Sequence, residues 1–312
     1  MFGLLAVALA GFGAQLVDGS LGMGYGLTSS TLLIAIGLAP AMASASVHLA
    51  EIGTTAASAF SHAKLGNVDK TVLRRIALPG AIGAFVGATV LSGLSSSAAR
   101  PWASAILFVL GFYVLFRYLR HKNVALKKGR PGKRFLAPLG LIGGFIDATG
   151  GGGWGPVTTP ALLANGRMAP NRVIGTMNAA EFLVAVAASV GFLIGLGMAA
   201  LNWEILLPLM LGGIIAAPIG AWIAHRLPMR VMGVTVGGMI IFTNSLTLMK
   251  AFEVPSDVMT PVLIGIAVVW AGLVAFVTRQ HLRSRREAKA EGEGAGEETL
   301  VSVSRDGSGH YE

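Results

Sequence analysis

The sequence predicts an all-α polytopic membrane protein with two inverted repeats, each a Gly-rich re-entrant hairpin followed by three transmembrane helices. One extra transmembrane helix follows the second repeat. Three observations predict this fold: low charge with long apolar runs, a duplicated Gly-rich motif between short apolar segments, and basic residues confined to one set of loops. Only 12% of the 312 residues are charged, about half the fraction that is usual in soluble domains.

The charged residues are unevenly distributed. Of the 39, 13 lie from Arg279 onward and 8 lie between Arg117 and Arg134. Between these clusters run apolar segments of about 17 or more residues, which is long enough to cross a bilayer. We predict full spans at Met42–His62, Ile76–Gly93, Trp102–Tyr118, Arg172–Leu196, Trp203–His225, Val231–Lys250 and Thr260–Thr278.

Two Gly-rich stretches lie outside these spans, "DGSLGMGYGL" (Asp18–Leu27) and "DATGGGGWGP" (Asp147–Pro156). Short apolar arms flank them, at Phe2–Val17, Leu27–Ile36, Phe135–Ile146 and Val157–Asn165. A helix of 10–13 residues rises only about 15–20 Å, against a hydrocarbon core of about 30 Å. We therefore predict that each stretch is the tip of a re-entrant helical hairpin.

The positions of Lys and Arg predict the orientation. If each hairpin returns to its own side, 22 of the 24 basic residues share one face, and only Arg100 and Lys250 fall on the other. The positive-inside rule makes the basic face cytoplasmic, so we expect a multi-pass protein of the plasma (inner) membrane with a cytoplasmic C-terminal tail and the N-terminus outside. Contact between these loops and anionic lipid explains the net charge of +9 better than nucleic-acid binding does. Because the first residues contain no basic n-region, we expect them to be mature structure and not a cleaved signal.

The two halves of the sequence resemble each other. "LVDGSLGMGYGLTSSTLL" aligns with "FIDATGGGGWGPVTTPAL", and "GAIGAFVGA" resembles "GIIAAPIGA". The alignment pairs Asp18 with Asp147, Tyr25 with Trp154, His48 with Asn178 and Glu51 with Glu181. Since a hairpin and three spans contain an odd number of crossings, the second copy must insert upside down, and the two hairpin tips can meet near the midplane.

This organisation predicts five regions along the chain. They are a first membrane repeat at 1–120, a basic cytoplasmic linker at 121–134, a second repeat at 135–250, a final transmembrane helix at 251–280 and a tail at 281–312. The tail is polar and rich in Gly and Glu, so we expect it to be disordered. Inverted repeats with broken helices at the midplane are typical of secondary transporters that work by alternating access.

The Gly-rich tips are candidates for binding an anion. Glycine lets successive N–H groups point into one concavity, and the arm that follows aims its positive helix end at the same place. The candidate substrate-binding residues are Gly19, Ser20, Gly22, Gly24, Tyr25, Thr28, Thr149, Gly150, Gly151, Gly152, Gly153, Trp154 and Thr158. The alternative is that these glycines only allow close helix packing.

Ionisable residues at membrane depth are candidates for proton coupling, because buried acids are costly and usually functional. The candidates for proton coupling or gating are Asp18, His48, Glu51, Asp147 and Glu181. Asn178 does not ionise and is included as the residue that aligns with His48. The alternative is that the acids are neutral or cap the amides of the opposite hairpin.

The sequence gives little support to a metal site or an enzyme. His48 and Glu51 have a spacing that could bind a metal, but the second copy has Asn178 and the chain has no cysteine. We therefore expect no metal, no cofactor and no enzymatic activity. Two alternatives stay open: a passive anion channel and, less favoured, an intramembrane hydrolase that uses Ser20 and His48.

The duplicated Gly-rich loop, followed by an "AP" turn and a helix with polar residues, resembles the TauE/SafE (TSUP) family of sulfite and organosulfonate exporters, which are similar to 4-toluene sulfonate uptake permeases. The resemblance covers roughly residues 1–280, and "DATGGGGWGPVTTPALLANG" is the more typical copy. The first copy departs from it, with Leu21, Met23 and Tyr25 between the glycines and Thr31 in place of Pro160.

The resemblance implies transport of small sulfur oxyanions, such as sulfite, thiosulfate or organosulfonates, driven by an ion gradient. We therefore expect a secondary-active anion transporter, proton-coupled and working by alternating access. Its expected partners are a small anionic substrate, protons and the lipid bilayer, and no feature of the sequence indicates an oligomer.

Overall fold

A computed structural model describes residues 3–21, 23–120, 129–198, 202–223 and 229–306 of the chain. Within these ranges it contains eleven helices and no strand, which confirms the predicted all-α class. The helices are α1 Leu4–Leu21, α2 Tyr25–Ala35, α3 Pro40–Lys64, α4 Lys70–Gly93, α5 Ser96–Leu119, α6 Lys133–Gly150, α7 Trp154–Asn165, α8 Pro170–Leu196, α9 Trp203–Ile223, α10 Met229–Ala251 and α11 Ser256–Asp306.

Helices α3, α4, α5, α8, α9, α10 and α11 occupy the positions of the seven predicted spans. Among the described residues, five segments are long and apolar enough to cross a membrane: Lys70–Gly93, Ser96–Leu119, Arg172–Leu196, Gly233–Ala251 and Ser256–Ser284. Helix α3 has 25 residues but includes many polar ones, and α9 has 21 residues that are mostly apolar. The chain is therefore a multi-pass membrane protein.

The first arm of each hairpin is longer than predicted. Helices α1 and α6 have 18 residues each, or about 27 Å, because they continue through Asp18 and Asp147 into the Gly-rich stretches. Helices α2 and α7 have 11 and 12 residues, or about 17 Å and 18 Å. The breaks are correspondingly short, because α2 begins four residues after the last residue of α1 and only residues 151–153 separate α6 from α7. The depth of the hairpins in a bilayer stays a prediction.

Packing is repeated between the two halves. Helix α4 packs on α6 and α8, as the equivalent helix α9 packs on α1 and α3, while α5 packs on α10. The close approaches also correspond: a Cβ at Gly140 would overlap the carbonyl of Ile76, and one at Gly11 would overlap the carbonyl of Leu209. This pattern agrees with the repeat that the sequence indicates. Their opposite insertion in the membrane stays a prediction.

Hydrogen bonds connect the loops that the sequence places on one face. The Arg130 Nε donates to Asp69 Oδ2 at 2.8 Å, and Arg167 donates to the Arg130 carbonyl at 3.3 Å. Arg230 donates to two carbonyls at the end of α5 and to a glutamine in α11. Arg100, predicted on the other face, donates to a carbonyl between α2 and α3. These contacts support the prediction that the basic loops lie together on one face of the protein.

The predicted disordered tail from residue 281 overlaps the end of α11, and the disorder of that segment stays a prediction. Helix α11 continues to Asp306, because Ala, Glu, Lys and Arg are frequent there and all favour helix. Residues 307–312, most of the predicted linker (121–128) and Gly22 lie outside the described residues.

Candidate functional site

Four acidic side chains from four helices lie close together in the centre of the structure. They are Asp18 on α1, Glu51 on α3, Asp147 on α6 and Glu181 on α8, and the Glu51 carboxyl interacts electrostatically with the other three. Asp18, Glu51 and Asp147 are almost completely buried, whereas Glu181 is partly exposed. In the part of the chain that the structure describes, no Lys or Arg forms an ion pair with any of them. The site is therefore strongly acidic.

The Asp147 carboxylate closes the break between α6 and α7. Its Oδ1 accepts hydrogen bonds from the amides of Gly153 and Trp154 at 2.7 and 3.0 Å. The amides of Gly151 and Gly152 donate to its main-chain carbonyl at 2.7 and 3.0 Å. All four amides are thus satisfied by one residue, and the carboxylate lies at the positive end of α7.

Asp18 has the equivalent role in the first hairpin, where it accepts a hydrogen bond from the amide of Tyr25 at the start of α2. Tyr25 is the residue that the repeat pairs with Trp154. In each hairpin, the predicted anion cradle therefore holds a carboxylate of the chain itself. The capping role weighed in the sequence analysis is present, but each Asp caps its own hairpin and not the opposite one.

His48 joins the first half of the chain to the second hairpin. Its Nε2 lies 3.1 Å from Asp147 Oδ2, and its Nδ1 donates to the Ser44 carbonyl at 2.8 Å. The Ser44 hydroxyl donates to the Ala148 carbonyl at 2.8 Å. Glu51, one turn further along α3, has no hydrogen-bond partner at either carboxylate oxygen and is 1% exposed.

His48, Glu51 and Asp147 each offer a ligand atom within 4.8 Å of the others. The sequence argued against a metal because Asn178 stands in place of His48 in the second copy and the chain has no cysteine. It did not bring Asp147 to His48 and Glu51, because Asp147 lies 99 residues from His48 along the chain. These three residues are the ones among the described part of the chain that could hold a metal ion.

The corresponding position in the second half is different. Asn178, which aligns with His48, donates from Nδ2 to the Ile174 carbonyl at 3.1 Å, and its Oδ1 accepts from Ser58 at 3.0 Å. Its amide group is therefore engaged at both ends. The two halves share a packing pattern but not the same polar chemistry.

The aromatic residues at the two tips hold the second arms in place. The Trp154 ring packs on Gly80 and its Nε1 donates to a carbonyl of α8 at 3.2 Å. The Tyr25 ring packs on Gly213 and its hydroxyl donates to a carbonyl of α9 at 3.2 Å. Both rings are buried. The contacts of the rings with Gly80 and Gly213 correspond under the repeat, whereas the two hydrogen bonds go to helices that are not equivalent.

The two hairpin tips contact each other. A Cβ at Gly152 would overlap the main chain of Gly26 and Leu27 in the first turn of α2, and Gly152 has a φ of 152°, which favours glycine. Ser30 donates a hydrogen bond to the Gly151 carbonyl. Glycine is needed here for close approach of the backbones as well as for the turn.

Comparison with known proteins agrees with the resemblance. Residues 7–247 match the family described as "Sulfite exporter TauE/SafE". The chain belongs to the TauE/SafE family. It is also similar to the "Probable membrane transporter protein YtnM" of Bacillus subtilis (strain 168), with 50% identity over 276 residues, which cover 88% of this chain and 92% of the relative. No solved structure matches it.

This TauE/SafE member is thus a membrane transporter, and its structure separates the predicted hydroxyl ligands into two groups. Thr149 and Thr158 donate to carbonyls one turn earlier in their own helices, at 2.7 and 2.6 Å. Thr28 has a buried hydroxyl without a hydrogen-bond partner. The Ser20 side chain lies outside the described part of the molecule. Of the predicted hydroxyl ligands Ser20, Thr28, Thr149 and Thr158, the Thr28 hydroxyl is therefore the one that the structure describes as available.

Sequence reasoning missed three serines at this TauE/SafE site. Ser30 and Ser44 connect the two halves, and the Ser29 hydroxyl is buried without a partner. The sequence contained a signal for Ser29 and Ser30, because four consecutive hydroxyl residues ("TSST", residues 28–31) in a short apolar arm are unusual. All four are buried.

Proposed function

We propose that this TauE/SafE member is a secondary-active transporter of small anions, and that its substrates are sulfur oxyanions such as sulfite, thiosulfate or organosulfonates. Transport is coupled to protons and uses alternating access between two inverted repeats. The observation that carries this proposal is the carboxylate bound at the start of the second arm in both hairpins.

The amides that hold the Asp147 carboxylate are suited to a substrate oxyanion. Sulfite and sulfonate oxygens accept hydrogen bonds as a carboxylate oxygen does, and helix N-termini bind such groups without a basic side chain. In the proposed cycle the substrate replaces the Asp147 carboxylate at the amides of Gly153 and Trp154. The chain's own carboxylate then returns when the substrate leaves, so the hairpin keeps its cap in both states.

Glu181 is the residue to which we assign proton coupling. It is partly exposed, whereas Glu51 is 1% exposed, so Glu181 is the more accessible of the two repeat-paired glutamates. It also interacts electrostatically with Asp18 and Asp147, the two capping carboxylates. A proton on Glu181 removes one negative charge beside the hairpins, so the proton and the anion bind more favourably together than separately.

The test is uptake of radiolabelled sulfite, thiosulfate and a small sulfonate into proteoliposomes, with and without an imposed pH gradient. The variants are Glu181→Gln and, as a matched control, Glu204→Gln, which changes an exposed residue at the start of α9. We expect gradient-driven uptake in the wild type and the control, with a loss of about tenfold or more in Glu181→Gln.

The other outcomes are equally informative. Uptake that ignores both the gradient and the substitution indicates a passive channel and refutes coupling through Glu181. If none of the three anions enters the vesicles, the proposed substrate class is wrong.

A further inference from the structure

We propose that His48, Glu51 and Asp147 form a binding site for one divalent first-row transition-metal ion. The three residues come from α3 and α6, and their ligand atoms lie within 4.8 Å of one another. The site goes beyond anion transport, since neither the transport proposal nor the family match involves a metal.

The His48–Asp147 pair already has the spacing of two ligands on one ion. Bonds from Zn²⁺ to imidazole nitrogen and carboxylate oxygen are about 2.0–2.2 Å. Two such ligands in a tetrahedral or octahedral shell are therefore about 3.0–3.5 Å apart. The distance between His48 Nε2 and Asp147 Oδ2 is 3.1 Å. Glu51 has to close the remaining distance, and no hydrogen bond holds its carboxylate back.

The surroundings orient both ligands. The His48 Nδ1 donates to the Ser44 carbonyl, which leaves Nε2 directed at the carboxylates, as is usual for a histidine that binds a metal. The Asp147 Oδ1 is held by two amides, so Oδ2 is the oxygen left for the ion. The 3.1 Å contact between Nε2 and Oδ2 needs a proton on Nε2 or a cation between the two atoms, and a metal ion supplies the second.

The charge of the cluster favours a divalent ion. Glu51 is 1% exposed and has two unpartnered carboxylate oxygens, an arrangement that is costly unless a cation or a proton neutralises it. The carboxylates of Glu51 and Asp147 together balance a charge of +2. One imidazole with two carboxylates and no thiolate suits Zn²⁺, Mn²⁺, Fe²⁺ or Co²⁺, whereas Mg²⁺ and Ca²⁺ prefer oxygen ligands alone.

The second half of the chain does not repeat the site. Asn178 replaces His48, and both ends of its amide group are hydrogen-bonded. We therefore expect one ion per chain. Because its ligands come from both halves, the ion would hold α3 of the first half against the second hairpin.

The test is equilibrium binding of Zn²⁺ to the full-length protein, purified in detergent and stripped with a chelator. The informative variant is Glu51→Gln, which keeps the size of the side chain and breaks no described hydrogen bond. A second variant, His48→Asn, installs the residue found in the other repeat. The control is Glu204→Gln, which makes the same change at an exposed residue at the start of α9.

We expect the wild type and the control to bind about one Zn²⁺ per chain and to rise in melting temperature on loading. Both site variants should bind at least about tenfold more weakly, because even changes behind the ligands cost that much. Co²⁺ should give a visible ligand-field spectrum in the wild type that is absent from Glu51→Gln.

The proposal is overturned if the stripped wild type takes up no Zn²⁺, or if Glu51→Gln binds it as tightly as the wild type. If His48→Asn does not fold, Glu51→Gln decides the matter. Since binding is measured without transport, failure of this proposal leaves the anion-transport proposal untouched, and the reverse also holds.

Discussion

Replacing Asp147 tests how much the second hairpin depends on its own carboxylate. Asp147→Ala removes the acceptor of two amide hydrogen bonds and leaves both N–H groups buried. Each unsatisfied group costs about 1–3 kcal/mol. His48 also loses its partner, so the total loss should be about 4 kcal/mol, within the range for breaking a buried pair. Asp147→Asn keeps an oxygen for the amides and should lose only about 1–2 kcal/mol.

The assay is denaturant unfolding of the purified protein in detergent micelles, followed by circular dichroism. Asp18→Ala provides an internal comparison. Its partners are one main-chain amide, that of Tyr25, and the Gln15 side chain, and it has no histidine partner, so we expect a smaller loss than in Asp147→Ala. The expected order of stability is wild type, Asp147→Asn, Asp18→Ala and then Asp147→Ala. Equal midpoints for the wild type and Asp147→Ala would refute the capping role.

Two further predictions concern the loops and the helix packing. Burial raises the pKa of Asp69, but the amides of α4 and the Arg130 guanidinium outweigh it and leave the pKa below 3.8. Asp69→Ala should therefore lower the free energy of unfolding by about 1 kcal/mol near neutral pH. Melting curves should show the stability difference between wild type and variant vanish as the pH falls from 3.8 through the lowered pKa of Asp69. A Cβ at Gly83 would overlap the Leu141 carbonyl, so Gly83→Ala should lower the free energy of unfolding by about 2 kcal/mol in the same denaturant assay. The control is Gly93→Ala, where the added Cβ meets open space and no loss of stability is expected.

The sequence predicted the helical class and the positions of the main helices because a bilayer leaves few choices. Backbone polar groups must be satisfied inside the membrane, so long apolar runs become helices and Gly-rich breaks are tolerated only inside the protein. The repeat was also readable, and the matched contacts of Trp154 with Gly80 and of Tyr25 with Gly213 agree with it. The lengths of α1 and α6 could not be read from the sequence, because the helices continue through Asp18 and Asp147.

The sequence by itself determined which groups are buried at depth: four acids, one histidine and two Gly-rich tips in a chain with few charges. Only the tertiary structure decided what these groups do to each other. Asp147 occupies the start of α7, and His48 and Glu51 meet it although His48 lies 99 residues away in the chain. Such encounters depend on which helices pack together and at what rotation. Local periodicity cannot specify either, because it records only which face of a helix is polar and not what lies opposite that face.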